Sequence, residues 1–98
     1  MADNAGEAAV ENNESEGRFE IRSGGLVGVL AYELAGDEIV LTHTEVNPEM
    51  EGRGMAALLA KGALEYARER GLKVVPLCSY VATYIRRHPE YRPLLREA

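Results

Sequence analysis

Two neighbouring stretches, His43-Thr-Glu-Val46 and Glu51-Gly-Arg-Gly-Met-Ala56, decide the reading of this chain. The first closes Glu38–Val46, a run rich in β-branched residues that reads as a strand. Asn47-Pro48 then breaks the strand. The second stretch feeds Gly52 and Gly54 into the first turn of an amphipathic helix expected near residues 52–70. A helix N-terminus has backbone N–H groups without intrahelical partners and a partial positive charge, so it suits an anion. Glycine lets that anion come close to the backbone. The pattern is that of a phosphate grip; the competing reading is an ordinary glycine-rich helix start.

The rest of the chain bounds what such a grip can belong to. Its 98 residues make room for one small domain with one core. No apolar run approaches the roughly 20 residues a membrane span requires, so no membrane contact is expected. The N-terminus Met-Ala-Asp-Asn-Ala-Gly-Glu lacks the basic and apolar regions of a signal peptide. A single cysteine, Cys78, cannot form an internal disulfide, which fits a reducing compartment and a cytoplasmic location. The two histidines and one cysteine show no metal-ligand spacing, so no metal is expected. Asp3, Glu7, Glu11, Glu14 and Glu16 stand in residues 1–17 without any Lys or Arg, and they account for the whole net charge of −5. That segment reads as a disordered acidic tail, and residues 18–98 as the folded domain. The domain is neutral and has no long basic run, which argues against a nucleic-acid partner.

Alternation and turn residues give a coarse outline. Phe19–Arg22, Leu26–Leu34 and Glu38–Val46 read as strands, separated by turns at Ser23-Gly-Gly25 and Ala35-Gly-Asp37. Gly28, inside the second of these, marks a bulge or a close approach. Met55, Leu58, Leu59, Ala63, Tyr66 and Ala67 form one stripe along the main helix, with Gly71 as its stop. Leu72–Cys78 is a further strand, expected parallel to Glu38–Val46 through a right-handed crossover. A shorter helix, Ser79–Arg87, ends at His88-Pro89. The order βββαβα implies an α/β chain with a mixed α+β sheet and helices packed on it.

At this point the residues match a family. The loop Glu51-x-x-Gly54-x-Ala56, between strand and helix, resembles the acetyl-coenzyme A motif of the GNAT N-acetyltransferase superfamily, usually written Gln/Arg-x-x-Gly-x-Gly/Ala. The fuller string resembles its small single-domain branch. Four blocks carry this in order: His43–Val46, Glu51–Ala56, Lys73-Val-Val-Pro-Leu-Cys78 and Tyr84-Ile-Arg-Arg-His-Pro-Glu-Tyr91. They cover roughly residues 18–95. The resemblance implies a minimal GNAT-like acyltransferase fold. The chain departs from the superfamily pattern at Glu51, where Gln or Arg is usual. A carboxylate turned toward a pyrophosphate is unfavourable, so either Glu51 points outward or Arg53 supplies compensating charge.

The resemblance also implies roles, each beside a plainer one. Gly52, Arg53, Gly54, Met55 and Ala56, with Glu51 ahead of them, become the pyrophosphate loop. Pro76 cannot donate a ladder hydrogen bond, so it suits a point where two parallel strands part to admit the pantetheine arm; a simple edge strand or bulge is the alternative. Cys78, at a strand end before a helix, would lie near the thioester as nucleophile or proton donor; a small buried hydrophobe is the alternative. His43 would take the proton from an attacking amine, against a plain sheet histidine. Glu45, two residues on, shares its strand face as a reserve base. A backbone amide near Val46 would polarise the carbonyl. Arg86 and Arg87 would reach the adenosine phosphates, although cations at a helix end also complement its dipole.

The expected function is therefore an N-acetyltransferase that moves an acetyl group from acetyl-coenzyme A to an unidentified amine. The alternative, from another class, is a coenzyme A-binding module or partner subunit without catalysis, and the short chain favours it. The presence of both His43 and Cys78 favours the enzyme. Nothing in the sequence requires more than a monomer, and nothing in it names the acceptor.

Overall fold

The computed structural model describes residues 9–96, with Glu51 described by its backbone alone. Four strands follow one another as an antiparallel meander: β1 (Val10–Asn13), β2 (Arg18–Ser23), β3 (Leu26–Ala35) and β4 (Glu38–Glu45). A single-turn helix, α1 (Pro48–Glu51), precedes the long helix α2 (Met55–Arg70). α2 returns the chain to β5 (Lys73–Pro76), which lies parallel to β4 at the sheet edge. A third helix, α3 (Ser79–Arg87), and a 3-10 helix, Pro89–Leu94, complete the fold. The sheet is mixed and runs in the order β1-β2-β3-β4-β5.

One apolar cluster holds the layers together. Phe19, Ile21, Leu30, Tyr32, Ile39, Leu41 and Val74 point from one sheet face into it. Leu59, Ala60, Ala63, Leu64 and Ala67 of α2, and Val81 and Ile85 of α3, meet them there. The helix stripe is rotated from the expected one. Leu58 is exposed, and Ala60 and Leu64 take its place. The strand residues of opposite register, among them Val27, Val29, Ala31 and Val40, lie outside this cluster. That second face carries Glu20, which is 4% exposed because its neighbours fold over it. Its Oε2 accepts from Arg18 Nε at 2.7 Å and Asn13 Nδ2 at 3.0 Å, and its Oε1 from Arg22 at 3.0 Å. The hydrogen bond from Arg18, then that from Asn13, hold the Glu20 carboxyl below its usual range.

The meander contains one irregularity. Ala31 pairs with His43, but Tyr32 pairs with Leu41, so Thr42 has no partner opposite it. This β-bulge reverses the alternation of β4. Without it His43 would share the core face with Ile39 and Leu41. With it, Thr44 opposes Leu30 and faces the core, while His43 and Glu45 turn to the other face.

The expected acidic tail over 1–17 needs correction where it is described. Val10–Asn13 pairs with β2 from Val10↔Ile21 to Asn13↔Arg18. Residues 1–8 lie outside the described residues. The composition of the segment is that of a tail, but three specific contacts offset it. Tyr32 Oη donates to Asn12 Oδ1 at 2.6 Å, Asn13 reaches Glu20, and Val10 packs on the helix at Gly62. A Cβ at Gly62 would stand 2.9 Å from Val10 Cγ1, so glycine is what lets β1 approach α2.

Two outcomes follow. A chain begun at Gly17 loses these contacts and leaves the buried Tyr32 hydroxyl without its partner. It should unfold several degrees below the full chain in a circular-dichroism melt, since a lost buried hydrogen bond alone costs roughly 1–3 kcal/mol. Glu20 contributes stability above the ordinary carboxylate range, and this is lost as pH falls through its lowered native value. Glu20→Gln should therefore lower the melting temperature at neutral pH and flatten its decline toward acid.

Candidate active site

β4 and β5 pair only from Glu38↔Lys73 to Leu41↔Pro76. Pro76 has no N–H to continue the ladder. The chain turns at once: Leu77 N–H returns to Val75 O, and Cys78 N–H donates to Leu41 O at 2.9 Å. Among the described residues, β4 continues to Glu45 with no strand beside it on that side. The strands part where Pro76 was expected to part them.

Cys78 sits at this parting, at the N-cap of α3. It is 8% exposed, and its Sγ lies 3.0 Å from Thr44 Oγ1. Of the two sequence readings, the small buried side chain is the one this burial matches, and the thiol is enclosed in a contact across the gap. His43 lies elsewhere. It is 63% exposed on the opposite sheet face, with Nε2 at 3.9 Å from Glu45 Oε1. Glu45 shares that face, as expected, and is 76% exposed. The structure brings Thr44, not His43, to Cys78. No sequence pattern points to Thr44, because a one-residue bulge leaves no mark in the alternation of a Thr-His-Thr-Glu segment.

The loop from β4 to α2 is fixed at several points. Asn47 caps α1, its Oδ1 accepting from Glu49 N–H at 2.9 Å, and Pro48 stands at the first helical position. The dipeptide read as a strand breaker is thus also a helix start. Met50 is buried in the core, and Glu51 is the last residue of α1. Arg53 N–H donates to Met50 O at 3.0 Å, while the Arg53 side chain is exposed. Gly54 has φ of 77°, and a Cβ there would meet nothing within 4 Å. Gly52 and Gly54 precede α2 instead of filling its first turn. Leu58 N–H finds Gly54 O at 3.2 Å; among the described residues the N–H groups of Ala56 and Ala57 find no acceptor. The buried side chains of Met55 and Ala56 hold this end of the helix in place.

Val46 is set by Gly28, across the sheet. A Cβ at Gly28 would stand 2.6 Å from Val46 Cγ1 and 3.2 Å from Ile21 Cγ2. Of the two sequence readings of Gly28, close packing is the correct one. At the far end of α3, Arg86 donates to Thr83 Oγ1 at 3.2 Å, and Arg86 and Arg87 are both exposed. The Tyr84 ring stacks on His88 at 4.0 Å, and burial raises its hydroxyl above the usual range, with Glu90 adding to the effect. Tyr91 is buried beneath Arg68 and donates to Glu65 Oε2 at 2.7 Å. Burial first, then the bond to Glu65, push the Tyr91 hydroxyl up to about 12.

This fold and this loop define a class. Residues 18–94 match the model of the GCN5-related N-acetyltransferase family, and the chain belongs to that family. Protein NATD1 of Mus musculus is 39% identical over 87 residues, spanning 86% of this chain and 79% of its own. Protein NATD1 of Homo sapiens is 40% identical over 83 residues, spanning 82% and 74%. The fold also matches the solution structure of a GCN5-like protein from Staphylococcus aureus. The TM-score is 0.70 at 24% identity, over 97% of this chain and 92% of that one.

Gly28→Ala should displace Val46 and cost roughly 1–3 kcal/mol through overpacking. Denaturant melts and the shift of the Val46 amide in a proton–nitrogen correlation spectrum check both parts. Tyr91 gives a prediction at alkaline pH. Its native value lies above the ordinary tyrosine range, so its stabilising effect is complete below about 10 and lost as pH rises toward about 12. Tyr91→Phe should melt lower than wild type at neutral pH and show a smaller fall in stability over that alkaline window.

Proposed function

We propose that this chain binds acetyl-coenzyme A at the start of α2 and catalyses acetyl transfer to an amine. The observation that carries the proposal is the unpaired amide set at Ala56 and Ala57, opened by Gly54, in a fold whose strands β4 and β5 part after Leu41↔Pro76. Such a helix start suits a diphosphate. The space where a Cβ of residue 54 would project is free to receive it. Family membership supports the ligand, since GCN5-related enzymes generally use acetyl-coenzyme A.

When bound, acetyl-coenzyme A supplies an activated acetyl thioester. The residues of the chain then have the following roles. The backbone of Gly52–Ala56 holds the diphosphate, and Arg53 offsets its charge and that of Glu51. Arg86 and Arg87 present exposed cations for the charged adenosine end. The amide near Val46 polarises the carbonyl, and Gly28 keeps that segment in place. His43, exposed on the outer sheet face, accepts the proton of the amine. Cys78, hydrogen-bonded to Thr44, either carries the acetyl group or returns a proton to the departing sulfur.

Binding is tested first. Acetyl-coenzyme A at about 100 times its dissociation constant should add roughly 2.7 kcal/mol, several degrees in a domain of this size. Arg53→Glu changes an exposed side chain next to the loop. It should leave the unliganded melt unchanged and cut affinity about tenfold or more. Absence of any thermal shift at millimolar acetyl-coenzyme A would sink the assignment. Intact-mass spectrometry after incubation separates the roles of Cys78. An adduct of one acetyl group that disappears in Cys78→Ser marks a covalent carrier. Amine acetylation without any adduct marks direct transfer. A thermal shift with neither leaves a binding module.

A further inference from the structure

The second half of α2 and the strands β1 and β2 enclose a cavity of about 260 Å³ that the proposed reaction does not use. β1 lines it with Val10 and Asn12, β2 with Phe19, and α2 with Gly62, Glu65, Tyr66 and Glu69. None of these belongs to the Gly52–Ala56 loop or to the Cys78–Thr44 contact. β1 comes this close because residue 62 has no Cβ; one would stand 2.9 Å from Val10 Cγ1. The aromatic wall is fixed. The Phe19 and Tyr66 rings meet edge to face with centroids 5.5 Å apart, and Phe19 also leans on Tyr32 at 5.0 Å. Glu65 and Glu69, one helical turn apart, add two carboxylates, and no lysine, arginine or histidine lines the cavity. The nearby cations are engaged. Arg68 holds Glu65 at 3.1 Å and lies over the Tyr91 ring, and Arg70 lies over the Tyr66 ring at 4.7 Å. Among the described residues the Glu69 carboxylate has no partner.

We propose that this cavity is a second ligand site, which binds a small quaternary ammonium compound. Its size, charge and hydrogen bonding select that class together. The volume lies just below the roughly 300–1,000 Å³ of pockets for drug-sized ligands, so the occupant is small. Two carboxylates without a cation in the lining favour a positive one. The acceptors in the wall are mostly spent, which decides what kind of cation. Asn12 Oδ1 accepts from Tyr32 Oη at 2.6 Å. Glu65 accepts from Tyr91 Oη at 2.7 Å, and both its oxygens face Arg68 Nη1. A primary ammonium brings three N–H donors and would leave some of them unpaired. A fully methylated one brings none, and it is held by charge and by contact with aromatic rings. Phe19, Tyr66 and Val10 supply that contact, and Glu69 supplies the unspent charge. Such a compound has no N–H to exchange for an acetyl group, so it is not the amine of the proposed transfer. The site stands whether or not the acetyltransferase reading does.

Three probes test this on the full chain without acetyl-coenzyme A, each followed by proton–nitrogen correlation spectra. They are choline chloride, its neutral analogue dimethylbutanol with carbon in place of nitrogen, and ethanolamine, which carries a primary ammonium on the same chain. Choline should give saturable shifts concentrated at Val10–Asn12, Phe19 and Gly62–Glu69. Dimethylbutanol should bind about threefold or more weakly, since it lacks the charge. Ethanolamine should also bind more weakly than choline. Glu69 is exposed, so Glu69→Gln should leave the unliganded melt unchanged. It should weaken choline about threefold or more and leave dimethylbutanol as it was. Glu33→Gln removes the same charge from an exposed position of β3 and should keep choline affinity within about twofold. Absence of saturable choline shifts would overturn the proposal, as would shifts confined to Gly52–Ala57. Equal affinity for dimethylbutanol would reduce the site to an apolar hollow. Ethanolamine binding as tightly as choline would remove the quaternary class. Equal losses in the two glutamate variants would show a general charge effect and no site.

Discussion

The short parallel ladder between β4 and β5 is the constraint on which this structure turns. It must be long enough to join the crossover to the meander, and it must stop. Four registered pairs do the first, ending at Leu41↔Pro76. Proline does the second by withholding the next donor. Cys78 N–H then takes Leu41 O, which satisfies the last carbonyl and sets where α3 starts. The outer edge of β5 is closed by other means. Leu95 bridges Val74, Arg96 N–H donates to Val74 O, and the Arg96 guanidinium holds Asp37 and Glu38. The clamp keeps β5 in place although it has only four residues and loses its inner partner early.

The Thr42 bulge has the same standing on β4. A one-residue insertion exchanges the two faces for every side chain after it. It places a hydroxyl against the Cys78 thiol and moves an imidazole and a carboxylate outside. Thr42 Oγ1 donates to Ala31 O at 3.2 Å, so the irregular position carries its own hydrogen bond. The close contact of Gly28 with Val46, one strand away, fixes where β4 leaves the sheet. Pairing, bulge and the Gly28–Val46 contact together set where β4 runs and where it leaves the sheet.

What could be read from residues and what could not divide along physical lines. Strands with clean alternation, the stop at Gly71, and the helix Ser79–Arg87 are local, and the structure has them where the pattern put them. The family resemblance gave the fold. β1 was missed because Val10–Asn13 is a polar edge strand held by Asn12, Asn13 and a packed Val10, contacts that composition cannot reveal. α1 was missed because Asn-Pro serves equally as strand breaker and as helix cap with a proline start. His43 and Glu45 share a strand face as alternation puts them, but the bulge turns that face away from Cys78, and no local pattern reveals it. Cys78 was placed correctly in the chain, but its burial and its Thr44 partner depend on side chains 34 positions apart.

A domain this small has little apolar surface to spare for its core. The described structure meets that limit by giving each sheet face a different task. The inner face spends its apolar residues on α2 and α3, and the Cys78–Thr44 contact lies at the margin of that core. The outer face is left with a strip of small apolar side chains between charged rows, and a carboxylate kept in place by three donors from its own sheet stiffens it. A covering helix there would bury Val27, Val29 and Ala31 and stabilise the chain, yet it would also seal the gap from that side. An uncovered antiparallel face is tolerated in water when its residues alternate as these do. Openness thus costs the domain some apolar burial.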